Sequence, residues 1–386
     1  MLLDQKKQSG LLQSRRRAEV LADHVRHEIS LGRLKTGDRV AAVRTLASQF
    51  GMSVHTVREG LAILVGEKVL EDRGGKKYVL NVPSSAPVPS PVLSSPGAEL
   101  GQVALMVDRN GHFHDEICPA LIHNLSVQQI PCVTVPAQYA SDPSSLDPWL
   151  KRWKIRPPHA VVVGFSHPVV EERLNDVCAG RSRIIALYQP TPYGLGWHQV
   201  YIDFTRMGRI AVDYFLGRGR RCVGIMTGGR YMDPLFAQPE PAKRRASHTP
   251  LILSIGRELR QLGLRNSLSV HYVAKQESYD DPSREKEIQR IIAWLSQANR
   301  PTAIVGSDYH LVMVFTAMNH MGLELGKDID LLGFGQTPWS QAYGFPSLNL
   351  QPSVFARCLA QLIGMDVELM GDTVFAVKVP PRIKSR

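Results

Sequence analysis

Cysteine is scarce: Cys118, Cys132, Cys178, Cys222 and Cys358 are the only ones in 386 residues. Their number is odd and no two form a C-x-x-C pair, which argues against a disulfide framework or a cysteine zinc site and fits a reducing compartment. Long apolar runs are missing too; none reaches the roughly 18 residues that a membrane helix needs. The opening MLLDQKKQSGLLQSRRR has no apolar core of signal-peptide type, so the expected location is the cytoplasm. Signatures of catalysis are equally thin. GFSHP around Ser166 ends in Pro168 where a nucleophile elbow needs glycine. Ser307, Asp308 and His310 are neighbours in SDYH, but a triad assembles through space and not by adjacency. GLGWHQ and GFGQT do not extend to G-x-G-x-x-G, and His24 and His27 lack a third metal ligand. An enzyme is not expected, nor a cofactor or metal.

What is present is positive charge, unevenly spread. Of the net +11, residues 1–82 carry +6 (15 Lys and Arg against 9 Asp and Glu) and the other 304 residues carry +5. The N-terminal segment has over four times the charge density of the remainder. Localised cations favour a polyanion, because neutralising phosphates releases condensed counterions; a solvated basic surface is the alternative. Residues 83–99, PSSAPVPSPVLSSPGAE, hold five prolines and five serines. They cannot pack a core and read as a semi-rigid linker. The expected organisation is a basic tail at 1–14, a small domain at 15–82, the linker, and a long domain at 100–386. With 44% apolar residues, that length can bury sizeable cores.

In the small domain Leu21, Val25 and Ile29 mark one helix face, with Gly32 as its C-cap. A second helix is expected from about Val43 to Phe50, ended by Gly51. Ser53 can cap a third, whose buried face is Val57, Leu61, Leu64 and Val65. VLEDR, GGKK and YVLNV follow as two strands around a glycine-rich basic tip. Three helices, a tight turn and a ribbon make a winged helix-turn-helix, in which the first turns of the last helix enter the major groove of DNA. That explains why GMSVHTVREGLAIL opens with exposed hydrogen-bonding side chains before it turns amphipathic. The ribbon tip would lie on the backbone, with Lys76 and Lys77 on phosphates. A three-helix module that binds protein is the competing reading.

DHVRHEISLGRLKTGDRV, VRTLASQF and the S-x-x-T-V-R-x-x-L spacing from Ser53 to Leu61, followed by the glycine wing, resemble the DNA-binding domain of GntR-family regulators. The resemblance implies DNA contacts from Arg44, Ser53, Thr56 and Arg58, with the wing near Gly75; Thr45 and Lys76 are further candidates on the same face. Two departures stand out. Ala41, Ala42 and Val43 replace the family's proline-serine-glutamate, and Val54 replaces a basic residue. A lost arginine removes a bidentate guanine contact of roughly 1–3 kcal/mol. His55 is the residue placed to take over part of that contact, so the operator is expected to differ from the family's common one.

Beyond the linker, nine short apolar segments alternate with amphipathic ones: VALMV, CVTVP, AVVVGF, RIIALY, VYID, CVGIMTG, LSVHYV, AIVGS and DLLGFG. This is the pattern of an α/β fold of doubly wound, mostly parallel sheets, here two of them, with ligands at the carboxyl ends of strands. VYIDFTRMGRIAVDYFLGRGRRCVGIMTGG, PTAIVGSDYHLVMVFTAMNHMGLELGKDIDLLGFG, SLNLQPSVFARCLAQLIGMDVELM (as the final helix) and FAVKVPPRIKSR (as the last strand) resemble the LacI/GalR-type effector domain. That resemblance implies the two-lobed periplasmic-binding-protein fold with three crossovers and a ligand cleft. A GntR-type head on such a body is similar to the architecture of arabinose-responsive repressors.

Asp203 and Asp308 match the family's ligand positions, and Asp108, Phe113 and His114 follow the first strand, where its first ligand loop lies. Tyr188 and Gln336 end other strands. Sugar recognition uses such carboxylates and amides on hydroxyls with an aromatic ring under the apolar face, although a strand-end Asp caps a helix at least as often. Three family contacts are altered: Gly335 and Gln336 replace an aspartate, Phe204 an asparagine and Leu253 an arginine. The long irregular stretch 230–250 reads as a cleft-rim loop or a plain solvated one. The expectation is a homodimeric transcriptional regulator, a repressor, controlled by a sugar or sugar derivative. The alternatives are a transport-type solute-binding protein and a regulator that has lost ligand sensing.

Overall fold

The computed structural model describes residues 17–22, 24–26, 28–29, 34–80, 102–107, 112–135, 143–164, 168–188, 197–228, 249–273, 283–365 and 374–383. Gly32, Asp108 and nearly all of 230–250 lie outside them.

The first helix, α1, is described at residues 17–22, 24–26 and 28–29. Leu21, Val25 and Ile29 are fully buried, as their spacing of four requires. Helix α2 runs Val43–Phe50 and ends on Gly51 in the left-handed region (φ 56°), whose amide bonds back to Ala47 and Ser48 carbonyls. Helix α3, Val54–Gly66, is capped by Ser53, which accepts from the Thr56 amide. Strands β1 (Leu70–Arg73) and β2 (Lys76–Val79) pair antiparallel with Arg73 opposite Lys76. That leaves a two-residue turn of Gly74 and Gly75, both at positive φ (60° and 82°), as a tight hairpin needs.

The chain divides into two compact units. One holds the described residues of Met1–Ala86, Phe204–Asn349 and Ile383–Arg386; the other those of Pro87–Asp203 and Leu350–Arg382. After the linker, therefore, the chain passes between them at three places: Asp203/Phe204, Asn349/Leu350 and Arg382/Ile383.

The Pro87–Asp203 unit carries β3 (Val103–Met106), α4 (His112–Val127), β4 (Cys132–Thr134), α5 (Asp147–Ile155), β5 (Ala160–Val163), α6 (Pro168–Cys178), β6 (Arg183–Tyr188) and β7 (His198–Ile202). Its sheet has the order β4-β3-β5-β6-β7-β13, where β13 is Ala376–Val379 from the far end of the chain. Every registered pair in it is parallel. Helices cover both faces of such a sheet, so VALM and AVVV are buried at every residue. Arg183 donates to the carbonyls of Leu362, Ile363 and Met365, closing the end of α12 (Pro352–Gly364).

The other unit carries α7 (Phe204–Leu216), β8 (Val223–Gly228), α8 (Thr249–Gln261), β9 (Leu268–Val273), α9 (Ser283–Leu295), β10 (Ala303–Ser307), α10 (Asp308–His320), β11 (Asp330–Phe334), α11 (Pro338–Tyr343) and β12 (Ser347–Asn349). Its sheet order is β14-β12-β11-β10-β8-β9, with β14 at Arg382–Ile383. Buried Asp330 anchors the start of β11: Arg218 and Arg220 each donate an Nε–H to one of its oxygens, at 2.9 and 2.6 Å.

All nine expected strands are present, within two residues at their ends. One segment differs. Residues 347–349, expected to open the last helix, form β12, because Gln351 takes the left-handed conformation and Pro352 starts α12 at its first turn.

The head is not a separate body. In the first unit α1 and α2 pack on α9, α10 and α11, and one apolar cluster runs from Leu21, Leu46, Phe50 and Leu61 to Met313, Ala317, Trp339 and Tyr343.

Candidate DNA interface and strand-end site

The face formed by α2, α3 and the hairpin is polar and open. Arg44, Thr45, Ser53, His55, Arg58, Gly75 and Lys76 are all exposed. Among the described residues Arg44, Arg58 and Lys76 have no ion-pair partner. His55 is 78% exposed at the side chain, with Nε2 3.3 Å from Glu59 one turn on. Thr56 differs from the rest. It is buried, its hydroxyl lies 2.8 Å from the Ser53 hydroxyl, and it shapes the cap of α3 instead of presenting itself outward. Lys77 is also engaged, in an ion pair with Asp72 inside the hairpin.

A recess of about 230 Å³ lies between the start of α2 and the wing, lined by Arg39, Arg44, Lys76, Lys77 and residues 40–43. Arg39 was not among the residues expected to face DNA. It arrives because residues 37–40 run beside the wing: Val40 donates to the Lys77 carbonyl, Val79 to that of Asp38, and Arg39 bridges Tyr78. The available signal was the turn LKTGDRV, which ends in the β-branched Val40. The start of α2 has no side-chain cap, since Ala42 stands at that position. Its first amides are left for water or an anion.

The candidate ligand residues fall in both units. Tyr188 ends β6, Asp203 follows the adjacent β7, and Phe113 and His114 lie in the first turn of α4. Asp203 is half-buried, and its amide donates to the Val379 carbonyl at 2.9 Å. Asp308 and Gln336 follow β10 and β11 in the other unit.

Asp308 is only 1% exposed. Its Oδ2 accepts from the Thr337 amide (2.7 Å) and hydroxyl (3.0 Å), and its Oδ1 from the Ser347 hydroxyl (2.6 Å). The Ser347 oxygen in turn accepts from the Gln336 amide, and Asn349 Nδ2 donates to Gln336 Oε1. The carboxylate is thus a latch that joins β10, the α11 start and β12, turned inward and used by the chain itself. Burial pushes its pKa up to about 6, against the opposing pull of the hydrogen bonds from Ser347 and Thr337. The half-buried Gln336, at φ 52°, holds the exposed side of this turn.

A winged helix-turn-helix head on two thrice-crossed parallel sheets is the architecture of a regulator-type head joined to a periplasmic-binding-protein-like body. Residues 17–78 match the bacterial regulatory proteins of the gntR family, and residues 200–373 match the periplasmic binding protein-like domain. The chain carries one domain of each kind. Over 60 residues it is 40% identical to the mannosyl-D-glycerate transport/metabolism system repressor MngR of Escherichia coli (strain K12). That match covers 15% of this chain and 25% of the repressor, so the chain spans about a quarter of that relative's length. Among solved structures, a LacI transcriptional regulator from a Rhodococcus species has a TM-score of 0.57 at 14% identity, covering 73% of this chain and 96% of the other. A LacI-family regulatory protein from Chloroflexus aggregans has 0.58 at 17%, covering 74% and 97%. A LacI-family regulator from Enterococcus faecium with bound ribose has 0.54 at 15%, also covering 74% and 97%. At these identities the structural likeness speaks to fold. Among the described residues no helix is long and apolar enough to cross a membrane.

Proposed function

We propose that the chain is a DNA-binding transcriptional regulator, acting as a repressor, whose operator affinity is set by a small molecule of the sugar or sugar-derivative class. The observation that carries this is the first turn of α3. Ser53 and Thr56 close the cap among themselves, which leaves Val54, His55 and Arg58 outward beside free Arg44 and Lys76. A helix start with short polar groups, flanked by unpaired cations and a glycine wing, fits major-groove reading with phosphate contacts on either side. The head's likeness to a sugar-system repressor and the body's likeness to a ribose-bound regulator support the effector class. The regulator works as a homodimer on two half-sites. The effector contacts are drawn from the carboxyl ends of the parallel strands, where Asp308 holds the Gln336–Thr337 turn through its bonds to Thr337.

The test is selection of duplexes from a random pool by the full chain, followed by affinity for the selected duplex. Arg58→Ala should weaken binding to that duplex about five-fold or more, since a lost base contact costs roughly 1–3 kcal/mol. Enrichment of no sequence would remove the regulator reading; equal affinity of the Arg58 variant would remove this residue's role.

A further inference from the structure

The contact between head and lobe is built from unusual parts. Phe50, the last residue of α2, stacks on Trp339 of α11 with centroids 5.5 Å apart and planes within 7°. The Arg284 guanidinium lies 4.1 Å from the centroid of the Phe50 ring, donates Nε–H to the Gln49 carbonyl at 3.2 Å and bonds the Tyr309 hydroxyl at 2.8 Å. Tyr343 of α11 donates its hydroxyl to the Phe50 carbonyl. Arg17 of α1 sits 4.8 Å over the Tyr343 ring and donates to the Ala342 carbonyl at 3.0 Å. His24 lies between Phe50, Tyr309 and Trp339, at 5.3, 6.0 and 5.5 Å. A Cβ on Gly51 would come 2.9 Å from the Thr316 hydroxyl of α10. Phe50, Trp339 and Tyr343 are all buried, yet every residue expected to contact DNA except Thr56 and the half-buried Lys77 is exposed. Docking therefore leaves the reading face open.

The same short helix touches the strand-end site. Thr337, the N-cap residue of α11, is held by both its amide and its hydroxyl on Asp308. Two residues on comes Trp339, and six residues on comes Tyr343. Gly51 opens the turn between α2 and α3, and Ser53, which caps α3, is three residues past Phe50.

We propose that the head is clasped onto the lobe in its DNA-reading posture, and that α11 is the lever between the strand-end site and the helix-turn-helix turn. A ligand that shifts the Gln336–Thr337 turn moves Trp339 and Tyr343, and through them Phe50, Gly51 and the cap of α3. A rigid element with packed ends transmits a displacement from one end to the other. The coupling must be reciprocal, so DNA on the head changes the strand-end site by the same factor. The regulatory part of this proposal rests on the function proposed above; the clasp and lever do not.

Ser347→Ala tests it in the full chain. It removes one hydrogen bond from Asp308 and lies on β12, away from the clasp. Peptide-level hydrogen exchange is read over residues 336–344 and 48–54, with 57–64 of α3 as an internal reference. Exchange at least five-fold faster in both segments, with the reference unchanged, is the expected result. Faster exchange in 336–344 alone overturns the lever. No change in either overturns the latch on which it depends. Thr337→Ala, which removes the hydroxyl bond instead, repeats the test should Ser347→Ala fold poorly. Affinity for a pool-selected duplex is measured alongside and should change at least three-fold. If exchange responds but no duplex is ever selected, the lever stands and the regulator reading falls; if a duplex is selected but its affinity ignores both substitutions, the reverse holds for the coupling.

Discussion

Asp308→Asn is the perturbation whose size can be worked furthest. The buried carboxyl titrates near 6 in the folded chain against an ordinary 3.8. Above both values the ionised, buried group opposes folding, and the rise corresponds to about 3 kcal/mol. The folded state holds the proton more tightly than the unfolded state. Stability from this group therefore increases as pH falls through 6 toward 4, and is flat above about 7 and below about 3.5. Between pH 7.5 and pH 5 the recovered stability is about 1 kcal/mol. Asparagine keeps the shape and one acceptor for Thr337, while its amide can donate to Ser347, and it does not titrate. The assay is urea unfolding of both proteins at pH 7.5, 6 and 5, followed by tryptophan emission, since Trp339 is buried in the same unit. Other groups titrate equally in both proteins and cancel in the difference. The wild type should gain about 1 kcal/mol on the variant over that range. A difference that stays constant with pH would refute the argument that desolvation dominates at this carboxylate.

Three further outcomes follow from the geometry. Gly51→Ala places a side chain at φ 56° and against Thr316; it should cost about 2 kcal/mol in urea unfolding, and full stability would show that turn and clasp yield easily. Lys76→Ala should weaken binding to all duplexes alike and lower the slope of log affinity against log salt by about one; a change for one sequence only would assign Lys76 to base reading. Thermal unfolding of the full chain against sugars, sugar acids and sugar phosphates should find a ligand that raises the midpoint by a few degrees, since a ligand at a hundred times its Kd adds about 2.7 kcal/mol. Silence across all three classes would remove the sugar-class effector.

The two halves of the molecule differed in how legible they were. The nine strands announced themselves because parallel strands buried on both faces must be apolar throughout, and AVVV or VALM has no other comfortable place. The Val43–Phe50 helix could be bounded to the residue, because Gly51 takes the left-handed conformation that ends it. The recognition helix was equally open to reading, through Ser53 as its cap. Thr56 was misjudged as outward because a cap partner and a base-reading hydroxyl look the same in one dimension. Arg39 was missed because it joins the basic recess through a strand pairing, which leaves little trace in the local pattern. Asp308 read as a ligand group; only the three donors converging on it, from residues 29 and 39 positions away, reveal an inward latch. The clasp was hidden for the same reason. Phe50 and Trp339 each look like ordinary core aromatics, and nothing local says that they share a core.

That shared core has a consequence for synthesis. Phe50 and the Tyr343 hydroxyl that grips it are separated by 293 residues. At about 5–20 residues per second the ribosome needs roughly 15–60 s to cover that distance. For that interval the head is already made while its seat does not exist, and the Phe50 and His24 face has nothing to cover it. The nascent chain thus carries a sticky aromatic surface for most of its own translation, which makes it a client for chaperones and a risk for pairing with a neighbouring chain on the same message. Slowing elongation across the stretch that encodes the lobe would lengthen the exposure, and the yield of soluble protein should fall with it.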